Sequence, residues 1–209
     1  MRRLYIRFQV LFNLVFNFLE RTHYRLKYLI NLPQIYTISD NCVFSNKFKS
    51  KNISIKNSFY LGDFSKISIE SKVSSLQVSE KVRIKDFCSI RILDGKLQIG
   101  NNVFINNYTS ITCLHKIVIG DNVMIGEGVK FYDHNHKYLK SNLGVVFTES
   151  DSYTLGGINV GNNVWIGSNV VILKGVEIGE NSIIGAGVVL HKSVPQNSII
   201  VNKQELLFK

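Results

Sequence analysis

Two histidines, His134 and His136, are the side chains of this sequence best suited to acid–base chemistry. They follow Asp133 at the start of a long segment in which the regular residue spacing found on either side is lost. A neutral imidazole, with an unperturbed pKa of about 6.5, can take a proton from a hydroxyl near neutral pH. The same segment carries Glu149 and Asp151, either of which could orient an imidazole. The alternative explanation is that both histidines are solvated surface residues.

The elements that must hold these side chains are marked by a six-residue period. A period of six fits neither an α-helix, with about 3.6 residues per turn, nor a plain strand, with a period of about 2. It is typical of a parallel β-helix, in which each hexad forms one flat face and three hexads close a coil. A β-sandwich is disfavoured because its turns are not spaced at a fixed six residues. One run is Ile99, Ile105, Ile111, Ile117, Val123 and Val129; a second is Val160, Ile166, Ile172, Ile178, Ile184 and Leu190, with a companion phase of Ile158, Val164, Val170, Val176, Ser182, Val188 and Val194.

Corner residues and boundaries complete the predicted solenoid. Gly and Asn in "IGDN", "VGNN" and "IGEN" tolerate the positive φ that sharp corners need. About eighteen residues per coil give roughly six or seven coils. Pro33 and Pro195 flank the repeats and are interpreted as boundaries, so we predict one domain over 34–209 with a protruding loop over 132–157. Upstream, a degenerate repeat is formed by Ile55, Leu61, Ile67 and Val73 and, after a slip, by Val78, Ile84 and Ile90.

Residues 1–33 have no six-residue period and predict an amphipathic helix. Its polar residues make it a poor transmembrane span, since such a span needs about 20 mostly apolar residues. The helix is expected either to lie at a membrane interface or to cap the solenoid. Binding of nucleic acid is disfavoured because the remaining charge is scattered and no binding motif occurs. The apolar arc is Leu4, Phe8, Leu11, Phe12, Val15, Phe18 and Leu19, and the charged residues are Arg2, Arg3, Arg7, Arg21, Arg25, Lys27 and Glu20.

The three cysteines, Cys42, Cys88 and Cys113, have no metal-ligand spacing. The odd count and the position of two of them inside the repeats indicate packing residues in a reducing compartment.

The stretch from Ile119 to Pro195 resembles the hexapeptide-repeat acetyltransferases, in particular the branch of maltose, nodulation-factor and polysaccharide O-acetyltransferases. The resemblance rests on "IGDNVMIGEGVKFYDHNH", followed by "NVWIG", "ILKGV", "IGAGVV" and then Lys and Pro. It implies a left-handed parallel β-helix that assembles as a homotrimer. It also implies transfer of acetyl from acetyl-CoA to a hydroxyl, without a metal, in clefts between neighbouring subunits.

The resemblance also implies roles for individual residues. The family's catalytic base falls on His136, and His134 is secondary because many relatives lack a histidine there. Lys192 is expected to meet the phosphates of CoA. The acetyl-CoA channel is implied to include Trp165, Gly167, Gly185 and Ala186, and the acceptor side to include Asn106, Tyr132 and Asp133.

Two departures from the family pattern matter. Tyr153 stands where many relatives carry a Glu that orients the catalytic histidine. The orienting carboxylate is therefore Asp151, Glu149 or Asp133, or there is none. The chain also reads "NKQEL" from Asn202, where relatives usually have "GNPAK", which puts the adenine end of the CoA site in doubt.

Together these observations predict an O-acetyltransferase that acts on a sugar hydroxyl of a surface polysaccharide or O-antigen precursor. We expect a cytoplasmic location, with peripheral contact to the inner membrane face if the N-terminal helix binds lipid. Two alternatives stay open. One is a non-catalytic β-helix scaffold; the other, less favoured, is a γ-type carbonic anhydrase using His115, His134 and His136 as zinc ligands.

Overall fold

The computed structural model describes residues 15–16, 18–19, 32–33, 36–39, 41–140 and 146–203, with backbone alone for those between 139 and 151. Of the helix predicted over 1–33, the structure describes Val15, Phe16, Phe18 and Leu19, which are helical, and Leu32 and Pro33, which are not; the rest lies outside the described residues. Within the described part of the chain, no helix is long and apolar enough to cross a membrane.

Three parallel sheets form the faces of a solenoid, and successive strands visit the faces in turn. Face A contains β1 (Tyr36–Ile38), β4 (Phe59–Leu61), β7 (Arg83–Ile84), β10 (Phe104–Ile105), β13 (Met124–Ile125), β18 (Trp165–Ile166), β21 (Ile183–Ile184) and β23 (Ile199–Ile200). Face B contains β2 (Val43–Asn46), β5 (Lys66–Ile69), β8 (Ser89–Ile92), β11 (Ser110–Cys113), β14 (Lys130–Tyr132), β19 (Val171–Leu173) and β22 (Val189–Leu190). Face C contains β3 (Ile53–Ile55), β6 (Ser75–Val78), β9 (Lys96–Ile99), β12 (Lys116–Ile119), β17 (Ile158–Val160) and β20 (Glu177–Ile178). A separate antiparallel pair is formed by β15 (His134–Lys140) and β16 (Val146–Leu155).

Each coil begins at a face A strand, so coil 1 is β1–β3 and coil 7 begins at β21. Equivalent residues of successive coils pair in register, as Ile105 does with Ile125 and Ile125 with Ile166. All members of the two aliphatic runs and of the companion phase are buried, so they stack in the core. The prediction of an all-β parallel β-helix with about seven coils is therefore confirmed.

Two details differ from the sequence-based expectation, and a third agrees with it. Val73 is 64% exposed, because the core positions of that coil are Leu76 and Val78 on β6 and the preceding corner absorbs the slip. Pro195 is not a boundary, since β23 adds one more face A strand after it. Ser182 is buried in the companion phase, where its hydroxyl donates to the carbonyl of Pro195 at 3.0 Å.

Asparagine and glycine meet different requirements of the corner between faces C and A, which we call the C/A corner. Asparagines there adopt left-handed backbone, as Asn122 does with a φ of 57°. The preceding glycines are needed for close approach instead: a Cβ on Gly120 would lie 2.8 Å from the carbonyl carbon of Gly161 in the next coil. The corner asparagines form a side-chain hydrogen-bonded ladder through Asn102, Asn122, Asn163, Asn181 and Asn197.

Candidate active site

The predicted loop over 132–157 contains a β-hairpin that leaves the solenoid between β14 on face B and β17 on face C. The insertion does not disturb the coil, because Ile158 pairs with Ile117 of the coil below. The amide of Gly156 donates to the carbonyl of Asp133 at 2.9 Å and closes the base of the hairpin. Across the hairpin, His136 pairs with Tyr153, so both face the same side of the ribbon.

The carboxylate of Asp133 is committed to the backbone of the coil below. It accepts hydrogen bonds from the amides of Leu114 at 2.9 Å, His115 at 2.7 Å and Lys116 at 2.9 Å. The resemblance implies that Asp133 lies on the acceptor side. Its side chain is fully buried, however, and has no exposed surface with which to contact an acceptor. We assign it the structural role of fixing the start of the hairpin.

The two histidines occupy different environments. The side chain of His134 is only 12% exposed, and its Nδ1 lies 3.4 Å from Oδ1 of Asp133. His136 is exposed, and its ring centroid lies 4.7 Å from that of Tyr153 and 6.2 Å from that of His134. Asp133 therefore contacts the secondary histidine, and an aromatic ring packs against the predicted base.

Neither of the other two candidate carboxylates can be placed. The side chains of Asp151 and Glu149 lie outside the described residues, although both belong to β16. Tyr153, where the resemblance implies an orienting Glu, lies beside His136. Tyr132 lies at the base of the hairpin, with its ring edge-on to that of His134 at 6.2 Å.

The hairpin lies near the charged groups of face B. Arg91 on β8 forms an ion pair with Glu70, with Nε 3.0 Å from Oε1. The pKa of Arg91 is raised chiefly by this hydrogen bond to Glu70 and in smaller part by Tyr153 of the hairpin. The pKa of Glu70 is lowered mainly by the same hydrogen bond. Tyr153 therefore lies within electrostatic range of a cation as well as beside His136.

Trp165 is not a packing residue of the solenoid, because half of its surface is exposed on the outside of face A. It pairs with Met124 below and Ile183 above, and the same column continues to Ile199. These outward residues, with Phe104 at the lower end, form what we call the face A stripe. Sequence reasoning missed it, although the signal was present: each member immediately precedes an isoleucine that is buried or, for Ile200, partly buried. The stripe is Phe104, Met124, Trp165, Ile183 and Ile199.

The small residues of the implied acetyl-CoA channel lie at the corner between faces A and B, the A/B corner. Contacts between coils already explain two of them: a Cβ on Gly167 would lie 2.7 Å from the amide nitrogen of Ala186, and one on Gly185 would lie 3.0 Å from the carbonyl oxygen of Ile200. Ala186 is exposed. These positions line the surface next to the face A stripe, whatever else they contact.

The candidate residues lie on two sides of the chain. Trp165 is on face A, and Asn106, Gly167 and Gly185 follow face A strands at the A/B corner. The hairpin and Lys192 are at the corner between faces B and C, the B/C corner, which is the edge opposite face A. Within one chain, Trp165 and Lys192 therefore do not share the cleft that the resemblance implies. We call these two groups of residues the half-sites of the candidate site.

Among the described residues, no group of three or more His, Cys, Asp or Glu side chains is arranged to hold a metal ion. The cysteines are free thiols, and Cys88 and Cys113 are buried. Burial raises the pKa of Cys88 to about 11 and, with the charge of Asp133, also raises that of Cys113.

The repeats match a known family model. Residues 157–192 match the bacterial transferase hexapeptide model, described as six repeats. This stretch of the chain is therefore similar to the hexapeptide repeats of bacterial transferases. The chain is 30% identical over 119 residues to WbbJ of Escherichia coli K12, which carries the name of a lipopolysaccharide biosynthesis O-acetyl transferase. The match covers 55% of this chain and 61% of WbbJ, and the chain spans about half to three-fifths of the curated relatives it matches.

Two solved structures share the fold of this chain. The acetyltransferase NeuO, described as specific for polySia, has a TM-score of 0.58 at 18% identity, covering 85% of this chain and 81% of NeuO. AntD, an N-acyltransferase from Bacillus cereus, has a TM-score of 0.52 at 18% identity, covering 86% of this chain and 82% of AntD. The AntD structure contains dTDP-4-amino-4,6-dideoxyglucose and coenzyme A.

Proposed function

We propose that this protein is an acetyl-CoA-dependent O-acetyltransferase that modifies a sugar hydroxyl of a surface polysaccharide or O-antigen precursor. The observation that carries the proposal is an exposed imidazole, His136, held on a hairpin that leaves a hexapeptide coil beside the fixed Asp133–His134 pair. The names of its relatives support the reaction class, since WbbJ is named as an O-acetyl transferase. The CoA in AntD supports the co-substrate.

In the proposed reaction, His136 accepts the proton of the acceptor hydroxyl as that oxygen attacks the thioester carbonyl carbon of acetyl-CoA. The tetrahedral intermediate then collapses, the carbon–sulfur bond breaks, and the imidazolium returns its proton to the departing thiolate of CoA. The products are the acetylated sugar and free CoA. Tyr153 packs against the His136 ring at 4.7 Å and holds it in place during both proton transfers.

The two half-sites support a homotrimer. A ring of identical chains brings unlike surfaces together at each contact, so it can bring the hairpin-bearing edge of one copy against face A of the next. His136 and Lys192 would then come from one copy, and Trp165 with its apolar stripe from another. The upper part of the stripe, from Trp165 to Ile199, suits the pantetheine arm of acetyl-CoA, because its members are apolar and face outward. Lys192, a compact cation, suits the phosphates.

We further propose that the N-terminal segment attaches the enzyme to the cytoplasmic face of the membrane. Six basic residues against Glu20 give residues 1–33 about half of the chain's formal net charge of +10. Anionic headgroups attract each nearby Lys or Arg by roughly 1 kcal/mol. Such a location would place the hairpin near lipid-linked glycans.

The proposal is tested by incubating the purified protein with acetyl-CoA and a panel of surface-glycan precursors, and following acetylated glycan by mass spectrometry and free CoA by a thiol assay. Trp165 is the one tryptophan of the chain, so its fluorescence should change when acetyl-CoA binds. Light scattering should give the mass of a trimer. A protein that neither alters its fluorescence nor binds acetyl-CoA in calorimetry would instead be a scaffold.

A further inference from the structure

A cavity of about 370 Å³ lies at the N-terminal end of face A, two to four coils from the start of the solenoid. Its lining includes two cations and two aromatic rings, and none of its lining residues, all of them described, is acidic. The residues that matter are Ser58, Tyr60, Lys81, Arg83, Asn102 and Phe104. A third cation lies close by, since Nζ of Lys85 is 5.7 Å from the centroid of the Tyr60 ring.

The cavity begins where the asparagine ladder of the C/A corner ends. Asn102 is the lowest member of that ladder, and its Nδ2 donates to Oδ1 of Asn122 at 2.9 Å. In the coil below, the same corner position holds Lys81, which adopts left-handed backbone with a φ of 58°. Asparagine tolerates that conformation better than lysine does. The chain therefore departs from its own corner pattern in a way that places a cation in the cavity.

The cavity is continuous with the face A stripe. Arg83 pairs with Phe104, Phe104 with Met124, and Met124 with Trp165. These are three steps of roughly 4.8 Å, so the Arg83 and Trp165 positions are about 14 Å apart along the axis. A sugar ring followed by a diphosphate fits a span of that order. The cavity lies on the N-terminal side of Trp165. The part of the stripe on the C-terminal side, Ile183 and Ile199, therefore remains available to acetyl-CoA.

We propose that this cavity binds the diphosphate of a glycosyl diphosphate acceptor. The proposal rests on the acetyltransferase function proposed above and names its acceptor class. The guanidinium of Arg83 can hold phosphate oxygens through two parallel N–H donors, and Lys81 adds a compact charge. Two cations match the two charges of a diphosphate diester. Phe104, one step from Arg83 toward Trp165, offers a ring face to the sugar.

Two natural sources share this chemistry: a nucleotide sugar and a polyprenyl diphosphate sugar. Calorimetry with dTDP and with geranyl diphosphate, each added to the full chain, separates them. Binding of either supports the diphosphate site, and the tighter probe identifies the source. Oligosialic acid provides a carboxylate arm, and a protein that binds it while ignoring both diphosphates would overturn the proposal.

The decisive variant is Lys81→Asn combined with Arg83→Gln. Asparagine at position 81 suits the left-handed backbone and extends the ladder, so the fold should be kept while both charges are lost. The affinity for the diphosphate probe should fall at least tenfold, and the wild-type affinity should weaken as salt is raised. The matched control is Lys96→Gln, which removes an exposed charge from face C of the same coil as Arg83 and should leave the affinity unchanged.

The fluorescence response of Trp165 to acetyl-CoA separates this proposal from the function beneath it. If acetyl-CoA binds and acetyl is transferred, but the double variant and the control bind the diphosphate probes equally, the diphosphate site is refuted and the acetyltransferase stands. If neither probe binds the wild type, the result is the same. If acetyl-CoA does not bind while dTDP does, the acetyltransferase function fails and the anion site remains.

Discussion

Replacing His136 with alanine should separate the roles of the two histidines. The His136 side chain is exposed and packs against the rings of His134 and Tyr153, so its removal exposes little core and should leave the fold intact. Loss of a general base lowers turnover by roughly 10²–10⁴-fold. Acetyl-CoA binding should be nearly unchanged, because the proposed contacts with the co-substrate are made by Trp165, its stripe and Lys192 and not by His136.

His134→Ala is the matched comparison. It removes the 3.4 Å contact with Asp133, which is long for a hydrogen bond, and Asp133 keeps its three backbone partners. We therefore expect turnover to fall by less than about tenfold, since the loss acts on the position of the hairpin and not on the proton transfer.

The assay is the initial rate of CoA release at saturating acetyl-CoA, with Trp165 fluorescence as the binding readout and thermal melting as the check on folding. Added imidazole should restore part of the rate in His136→Ala, because the vacated position is open to solvent. The reasoning would be refuted by a His136→Ala variant with wild-type turnover. It would also be refuted if His134→Ala were the more damaged of the two, since the Asp133–His134 pair would then be the base.

Three further predictions concern stability, thiol chemistry and membrane contact. Asp133→Asn should lower the free energy of unfolding by about 2–4 kcal/mol in urea denaturation, because the amide group cannot accept all three backbone N–H bonds as the carboxylate does, whereas Asp94→Asn at an exposed corner should change it little. Cys88 and Cys113 should resist a thiol reagent in the native protein, and equal labelling of native and unfolded protein would contradict this. The free energy of unfolding should keep the full contribution of the buried neutral thiols below about pH 9 and lose it as the pH rises towards 11. The reason is that unfolded thiols ionise near 9.0, whereas the folded pKa of Cys88 is about 11. The protein should co-sediment with anionic vesicles, less so in high salt, and Phe8→Asp with Phe12→Asp should abolish this while the assembly persists; a solenoid cap would instead be destabilised by the same change.

The repeat could be predicted from the sequence because its core positions obey one rule. A buried aliphatic every six residues needs only neighbours in the adjacent coils, so the pattern survives in the primary sequence as a fixed spacing. The exception, Val73, lies in the corner between β5 and β6, and a corner's length cannot be counted until its strands are known.

The site was harder to predict because its geometry depends on contacts between coils. Asp133 was expected on the acceptor side, and its commitment to the amides of Leu114, His115 and Lys116 follows only from how the hairpin base stacks on the coil below. The glycines at 167 and 185 were expected as channel residues, yet the backbone of the next coil leaves no room for a Cβ at 167 and only a tight fit for one at 185. The two paired strands of the hairpin have mixed polarity, so no hydrophobic period in the sequence predicted them as strands.

The way the hairpin enters and leaves the solenoid has a consequence for the evolution of the family's chemistry. Ile117 and Ile158 pair as next-door neighbours although the whole insertion lies between them, and the Gly156–Asp133 bond closes the insertion at its root. The pairing of the solenoid strands is therefore independent of the segment that is inserted at this point. Hairpins of other lengths and sequences can replace this one without repacking of the core, so a new reactive group can be introduced on an unchanged scaffold. Acceptor specificity would then change through replacement of the hairpin at this one corner, while the solenoid stays the same.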